Sequence, residues 1–183
     1  MTESTSREHA VAAQQLTALQ TSMGVPPPDA HLRQFFEVWL DTFIYNGRLD
    51  PRLRELTILR VMWRCDRAFE WGNHYRHARQ AGVSREEVMA VRTATPQRDL
   101  HGSVGLVVRA ADEIIDQGAL SESTVTELRE LFTDAAEFDE FVYLASGYRM
   151  FATVAASKRE PYRGSHAPWP PDGFSPAGAA PRA

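Results

Sequence analysis

The residues best suited to chemistry are Glu55, Glu70 and His74, which lie in the stretch 54–82, RELTILRVMWRCDRAFEWGNHYRHARQAG. Glu70 and His74 are four positions apart, so on a helix they share one face. Glu55 stands within an apolar run, where a carboxylate must be paired, hydrogen-bonded or protonated. Carboxyl groups in apolar surroundings have pKa values shifted toward neutrality, where proton transfer is efficient. The pattern therefore predicts an acid–base site.

Other interpretations fit the same residues. Glu55 could form a structural ion pair with an arginine, and Glu70 and His74 could be a solvated pair on a helix surface. His77 is expected at the surface or at a subunit interface. Together these four side chains also offer the oxygen and nitrogen ligands that suit Mn, Fe or Zn, so a metal-dependent enzyme using Glu55, Glu70 and His74 is an alternative.

Two consecutive helices must position these side chains. The first is predicted from Asp50, a good N-cap, through Pro51 at the first helical position to Arg64. Because this helix is apolar on most sides, we expect it to be buried. The second is predicted from about Asp66 to a C-terminal glycine, Gly82. Packing of the two helices would bring the two acids and the imidazole together.

The stretch RELTILRV followed by FEWGNHYRHARQAGVSREEV resembles the carboxymuconolactone decarboxylase family, which includes the alkylhydroperoxidase D-like (AhpD-like) proteins. In the peroxidase branch of that family, a C-x-x-C motif follows the Glu helix, with a His four residues after the second Cys. Those cysteine positions are Arg67 and Glu70 here, while the His is retained as His74. The only cysteine is Cys65, so no dithiol cycle is available. The chain therefore resembles the decarboxylase-like branch, and a peroxidase or disulfide reductase is disfavoured.

The resemblance covers roughly residues 32–161 and implies an all-α, AhpD-like bundle of about seven helices that forms a homo-oligomer. A trimer or hexamer is expected, with a dimer as the alternative. No alternating β-branched run predicts a strand. We divide the chain into an N-terminal extension with one helix (1–28), the helical domain (29–159) and a Pro/Gly/Ala-rich tail (160–183). The tail is predicted to be disordered or extended along the surface.

The resemblance implies a decarboxylase-like lyase or isomerase that needs no cofactor and no metal. Its substrate would be a small carboxylated or keto compound of aromatic catabolism or secondary metabolism. Such a site must hold a carboxylate, stabilise an enolate-like anion and deliver a proton to carbon. In our hypothesis His74 and Glu70 share the proton transfer, and Glu55 orients His74 or acts as the acid. The second alternative is a non-catalytic oligomeric ligand-binding protein.

The candidate substrate-binding residues are Arg60, Arg67, Tyr148, His101 and Trp71. Arginine is suited to this task because its planar guanidinium matches a carboxylate. Helical register, however, directs Arg60 about 140° away from Glu55. His101 lies beside a glycine in a predicted loop, which could bring it over a pocket.

Composition limits the partners of the 183-residue chain. The net charge of −4 does not favour a nucleic-acid partner. No apolar run approaches the length of a membrane span, so no membrane partner is expected. The N-terminal residues MTESTSREHA lack the apolar core of a signal peptide, which predicts a cytoplasmic protein.

Overall fold

A computed structural model describes residues 29–93, 100–159, 162 and 167–177; the predicted N-terminal helix lies outside these ranges. The described residues form seven α-helices, a π-helical stretch and no strand, which confirms the predicted all-α fold. None of these helices is long and apolar enough to cross a membrane. The helices are α1 (Ala30–Leu40), α2 (Pro51–Arg64), α3 (Ala68–Gln80), α4 (Arg85–Val91), α5 (Gly102–Gln117), α6 (Glu122–Leu131) and α7 (Ala135–Lys158), and the π-helical stretch is Asp41–Tyr45.

The chain divides into two compact units. One comprises Met1–Gly47 with Glu160–His166, and its described helical part is α1 with the π-helical stretch. The other comprises Arg48–Arg159 with Ala167–Ala183 and contains helices α2 to α7. All residues that were singled out for chemistry belong to this second unit.

Helix α2 is the centre of the second unit and packs against α3, α4, α5 and α7. Its start follows the sequence signals: the Asp50 carboxylate accepts hydrogen bonds from the backbone N–H groups of Arg52 and Leu53, and Pro51 is the first helical residue. Every residue from 55 to 62 is buried. The mostly apolar surface of α2 thus gives the buried helix that the sequence predicts, and it places Glu55 in the core.

Helix α3 begins at Ala68, two residues later than predicted. Asp66 has a φ of 54°, so the chain turns there through the left-handed region before the new helix starts. Gly82 follows the helix with a φ of 82°, as expected for a glycine after a helix C-terminus. The short connection keeps α3 packed on α2, with Trp71, His74 and other buried residues in the contact region.

The C-terminal strap, which we define as residues 167–177, corrects the prediction of a tail that is disordered or extended along the surface. Trp169 is only 3% exposed. Its ring centroid lies 5.4 Å from that of Trp63 on α2 and 5.9 Å from that of Trp71 on α3. The Trp71 indole N–H donates a 2.8 Å hydrogen bond to the carbonyl oxygen of Pro170. Proline-rich segments seldom pack into a core, but the buried indole ring of Trp169 supplies the apolar contact that holds this segment in place.

Arg92, just after α4, fixes the same strap. Its guanidinium lies over the rings of Trp63 and Trp71, 5.0 and 4.8 Å from their centroids. It also forms a 2.6 Å ion pair with Asp172 and donates hydrogen bonds to the carbonyl oxygens of Trp169 and Pro170. Cation–π contacts and charge-assisted hydrogen bonds therefore hold the strap against α2, α3 and the end of α4.

Gly105 in α5 gives a first testable prediction. A Cβ atom at this position would overlap the carbonyl oxygen of Leu100 and would lie 3.0 Å from its carbonyl carbon. Since these are backbone atoms, Gly105→Ala should force a shift and destabilise the fold by about 1–3 kcal/mol. Gly72→Ala in α3 is the matched control, because nothing lies within 4 Å of its added Cβ. Urea unfolding measures both; equal stabilities would contradict the prediction.

Candidate active site

A hydrogen-bonded chain of three buried side chains forms the centre of the second unit. His74 Nδ1 lies 2.8 Å from Glu55 Oε2, and His74 Nε2 lies 2.9 Å from the hydroxyl oxygen of Tyr148. The exposed fractions are 0% for Glu55, 5% for Tyr148 and 8% for His74. Helices α2, α3 and α7 contribute one residue each. The imidazole is therefore held on both sides, in surroundings that exclude most water.

Arg54 completes the surroundings of the carboxylate. Its Nε donates a 3.0 Å hydrogen bond to Glu55 Oε1, so both carboxylate oxygens have a partner. Burial alone would raise the pKa of Glu55. The charge and hydrogen bond of His74, with the charges of Arg54 and His77, outweigh burial and lower that pKa below its ordinary value. Glu55 is therefore ionised at neutral pH, although it is fully buried.

The geometry allows a proton to move along this chain. A neutral imidazole has one N–H donor and one acceptor nitrogen. When Nδ1–H donates to the Glu55 carboxylate, Nε2 accepts from the Tyr148 hydroxyl. When His74 is protonated, both nitrogens donate, and the negative carboxylate stabilises the imidazolium. The arrangement thus suits general acid–base chemistry.

His77 lies close to the hydrogen-bonded side chains, although the sequence analysis expected it at the surface or at a subunit interface. It is half-buried, and its ring is edge-on to that of His74 with centroids 5.6 Å apart. Ligand atoms of Glu55, His74 and His77 all lie within 4.8 Å of one another, so these three side chains could hold a metal ion. The sequence did contain a signal for this proximity: His74 and His77 are three positions apart, and residues with that spacing are neighbours on a helix.

Glu70 is not hydrogen-bonded into the chain. Its Oε2 is buried without a hydrogen-bond partner and lies 4.0 Å from Arg67 Nε, which is buried without one too. Glu70 is in the first turn of α3, where Arg67 is its neighbour. A role of Glu70 in proton transfer stays a prediction, and no contact with His74 supports it.

Comparison with known proteins gives a partial match to a family model. Residues 29–96 match the model of the carboxymuconolactone decarboxylase family. This segment, 68 of the 183 residues, is similar to that family. None of the curated proteins and none of the solved structures matches the chain. The match confirms the resemblance predicted from the sequence.

The family segment includes Glu55, Glu70, His74 and His77, whereas Tyr148 lies outside it. The third member of the hydrogen-bonded chain thus comes from a helix beyond the carboxymuconolactone decarboxylase match. Tyr148 was predicted to bind substrate; the structure shows its hydroxyl in contact with His74. Sequence reasoning gave no role to Arg54, which directly precedes Glu55.

Arg60 is occupied by structural partners. Its Nε and one terminal nitrogen donate to the two oxygens of Asp112 on α5, at 2.7 and 2.9 Å. The other terminal nitrogen donates to the carbonyl oxygens of Val91 and Thr93, and the residue is 1% exposed. Every nitrogen of the guanidinium thus has a structural partner, and the side chain is buried. We therefore leave it out of the proposed substrate site.

Two further candidates, His101 and Trp71, are not members of the hydrogen-bonded chain Tyr148–His74–Glu55. His101 is exposed at the N-terminus of α5. Trp71 is fully buried, and its only polar group donates to Pro170. The structure therefore assigns Trp71 to the contact with the strap, and neither residue enters the proposed substrate site.

The lowered pKa of Glu55 predicts how stability depends on pH. A carboxyl group whose pKa is lowered by folding stabilises the fold at pH values above its ordinary pKa of 4.5, and this contribution is lost as pH falls through the lower folded value. As the pH is lowered from neutral to below 4.5, the stability of Glu55→Gln should therefore fall less than that of the parent. Thermal unfolding at several pH values tests this. The control is Glu127→Gln, at a half-exposed carboxylate, and its stability should depend on pH as that of the parent does. An equally steep loss of stability in Glu55→Gln would contradict the prediction.

Proposed function

We propose that the chain is a cofactor-independent acid–base lyase or isomerase of the carboxymuconolactone decarboxylase type. Its substrate is a small carboxylated or keto compound. The observation that carries this proposal is the buried hydrogen-bonded chain Tyr148–His74–Glu55, contributed by three helices. A buried imidazole held between a phenol and an ionised carboxylate is suited to moving protons.

The roles follow from the contacts. In a decarboxylation, the bond between the substrate carbon and its carboxylate breaks, CO₂ leaves, and the electron pair remains as an enolate. With His74 in its imidazolium form, the Tyr148 hydroxyl gives its proton to that carbon, and His74 Nε2–H passes its proton to the phenolate oxygen. His74 is then neutral and takes up one proton from solvent before the next turnover. Glu55 holds Nδ1 and stabilises the imidazolium form of His74. An isomerisation uses the same groups to remove a proton and to return it at another carbon.

Arg67 and Glu70 are proposed on the substrate side. Arg67 precedes α3, and its buried Nε lacks a hydrogen-bond partner, as does Glu70 Oε2. A guanidinium with a free donor can bind a substrate carboxylate. Glu70 can then serve as a second proton-transfer group. This assignment retains the sequence prediction for both residues.

Deuterium incorporation tests the reaction class even before the substrate is identified. Small β-keto acids and unsaturated lactones that carry a carboxylate are incubated with the protein in D₂O. NMR then detects deuterium at carbon, and CO₂ release is measured in parallel. We expect one compound class to incorporate deuterium in a protein-dependent manner. Binding of these compounds without exchange or CO₂ release would favour the ligand-binding alternative and contradict the proposed enzyme.

The setting of the enzyme is also proposed. We infer a cytoplasmic homo-oligomer, a trimer or hexamer, that acts in aromatic catabolism or secondary metabolism. The match to the carboxymuconolactone decarboxylase family supports this inference, because the resemblance to that family is what implies the setting and the oligomeric state. Light scattering after size-exclusion chromatography measures the oligomeric state, and a monomer at micromolar concentration would contradict the inference.

A metal-dependent enzyme is the second candidate function. It is favoured by one observation, the convergence of ligand atoms from Glu55, His74 and His77. Two imidazoles and one carboxylate form a ligand set that suits Zn, Mn or Fe(II). Calorimetry with Zn²⁺ and Mn²⁺ on the parent and on His77→Gln tests it. Tight binding that His77→Gln abolishes would support it; no binding by the parent would reject it.

A further inference from the structure

The orientation of the Glu55 carboxylate depends on hydrogen bonds at both of its oxygens. The terminal torsion of a glutamate side chain has only a broad preference, so the rotamer does not fix the plane of the carboxylate. His74 Nδ1 lies 2.8 Å from Glu55 Oε2, and Arg54 Nε donates a 3.0 Å hydrogen bond to Oε1. Rotation of the carboxylate would break one or both of these bonds. Arg54 therefore limits the orientation that Glu55 presents to His74.

The contact between Arg54 and Glu55 is not a default of helix geometry. Consecutive residues of an α-helix point about 100° apart, so their side chains do not face each other. Arg54 is the fourth residue of α2, yet its side chain lies against the Glu55 carboxylate and is only 15% exposed. A long cationic side chain loses conformational freedom when it is held in this way. The buried position of Arg54 thus indicates a specific contact with the carboxylate.

This contact bears on which nitrogen of His74 carries the proton when the ring is neutral. A carboxylate accepts hydrogen bonds, so Nδ1 is the donor in the bond between His74 and Glu55. Nε2 is then the acceptor, and the Tyr148 hydroxyl, 2.9 Å away, is its donor. If the carboxylate turned away from Nδ1, the ring could carry its proton on Nε2. That nitrogen could then no longer accept from Tyr148.

We propose that Arg54 is a positioning residue, which holds the Glu55 carboxylate and thereby keeps the neutral ring of His74 in the Nδ1–H tautomer. The role rests on the proposed function, in which the proton leaves His74 from Nε2 toward Tyr148. Arg54 touches no substrate in this proposal and acts only through Glu55. The competing role is neutralisation of a buried carboxylate by the charge of Arg54, which requires no particular hydrogen bond.

Two replacements of Arg54 separate the hydrogen bond from the charge. In Arg54→Gln the amide nitrogen is as many bonds from Cα as the arginine Nε is, so this variant keeps a donor there and loses the charge. Arg54→Met loses both. In protein labelled with ¹⁵N-histidine, the two ring nitrogens of neutral His74 give separate NMR signals, because one is protonated and the other is not. We expect parental signals in Arg54→Gln. In Arg54→Met, the two signals should move toward each other as the Nε2–H tautomer becomes populated.

The Nδ1 signal is the diagnostic one, because protonation of the ring moves mainly the Nε2 signal. The control is Arg52→Met, which removes the ion pair with Glu87 two residues earlier on the same helix and should leave both signals unchanged. Equal movement in folded Arg54→Gln and Arg54→Met would overturn the proposal, as would parental signals in both. Should Arg54→Met not fold, Arg54→Lys is judged in its place, since it keeps the charge and has no nitrogen at that position. Parental signals in Arg54→Lys would then overturn the proposal.

Kinetics on the substrate identified in D₂O give a second measurement. Arg54→Met should lower kcat by about tenfold to a hundredfold, as expected when a group that orients a functional side chain is lost. KM should change little, because Arg54 touches no substrate, and Arg54→Gln should keep most of the parental kcat. A change of tautomer with parental kcat would overturn the proposal. Absence of any reaction in the D₂O substrate panel would instead reject the lyase or isomerase, and the NMR signals of the free protein would still decide whether Arg54 fixes the tautomer.

Discussion

His74→Gln should lower kcat/KM on the substrate identified in D₂O by about two to four orders of magnitude. Among the described residues, its imidazole is the group that contacts both Glu55 and the Tyr148 hydroxyl, so its loss interrupts the hydrogen-bonded chain at its centre. Glutamine retains polarity and approximate size, but it does not titrate. Tyr148→Phe should also lower kcat, since it removes the hydroxyl that we propose as proton donor. Initial rates at several substrate concentrations separate kcat from KM.

The control for this experiment is His31→Gln, the same replacement at an exposed histidine, and it should keep parental kinetics. Circular dichroism and thermal unfolding establish that each variant is folded. A folded His74→Gln protein that turns over substrate at the parental rate would show that the hydrogen-bonded side chains Tyr148, His74 and Glu55 are not the catalytic centre. A large loss in Glu70→Gln with none in His74→Gln would instead move the chemistry to the pair Arg67 and Glu70.

Arg60→Ala should destabilise the protein by about 3–5 kcal/mol, because it breaks a buried ion pair. The guanidinium side chain is 2% exposed and donates to both oxygens of Asp112, which is itself mostly buried. Its removal also leaves the carbonyl oxygens of Val91 and Thr93 without these donors. Urea unfolding at neutral pH measures the change in the free energy of unfolding.

Arg64→Ala is the matched control, since Arg64 also pairs with Asp112, at 2.6 Å. Its side chain is 29% exposed, so solvent screens the pair and the expected loss is at most about 1 kcal/mol. The comparison changes the same residue type at the same partner and varies mainly the burial. Equal losses for the two variants would contradict the structural role assigned to Arg60.

Local signals in the sequence predicted much of the fold. Asp50 and Pro51 define the start of α2, as predicted. Gly118 ends α5 in the left-handed conformation, and Ser84 with Glu87 forms a capping box at the start of α4. These features depend on interactions within a few residues, so such signals need no tertiary information. A carboxylate within the apolar run of α2 likewise indicated that Glu55 is buried.

The partners of the buried polar groups could not be predicted in the same way. Tyr148 is 74 positions from His74, and Asp112 is 52 positions from Arg60. Such pairs depend on how helices pack, which helical periodicity does not specify. The burial of Trp169 was missed for a related reason: its proline-rich surroundings indicate disorder, and its contacts lie on α2 and α3. The catalytic assignments to Glu55, Glu70 and His74 remain predictions.

The strap also gives the molecule a spectroscopic property. Trp63, Trp71 and Trp169 are three of the four tryptophans, and their ring centroids are separated by 5.4 to 5.9 Å. Because indole rings this close couple electronically, we expect the cluster to contribute strongly to near-ultraviolet dichroism and fluorescence. Release of residues 167–177 should therefore change those signals, since Trp169 would leave the cluster.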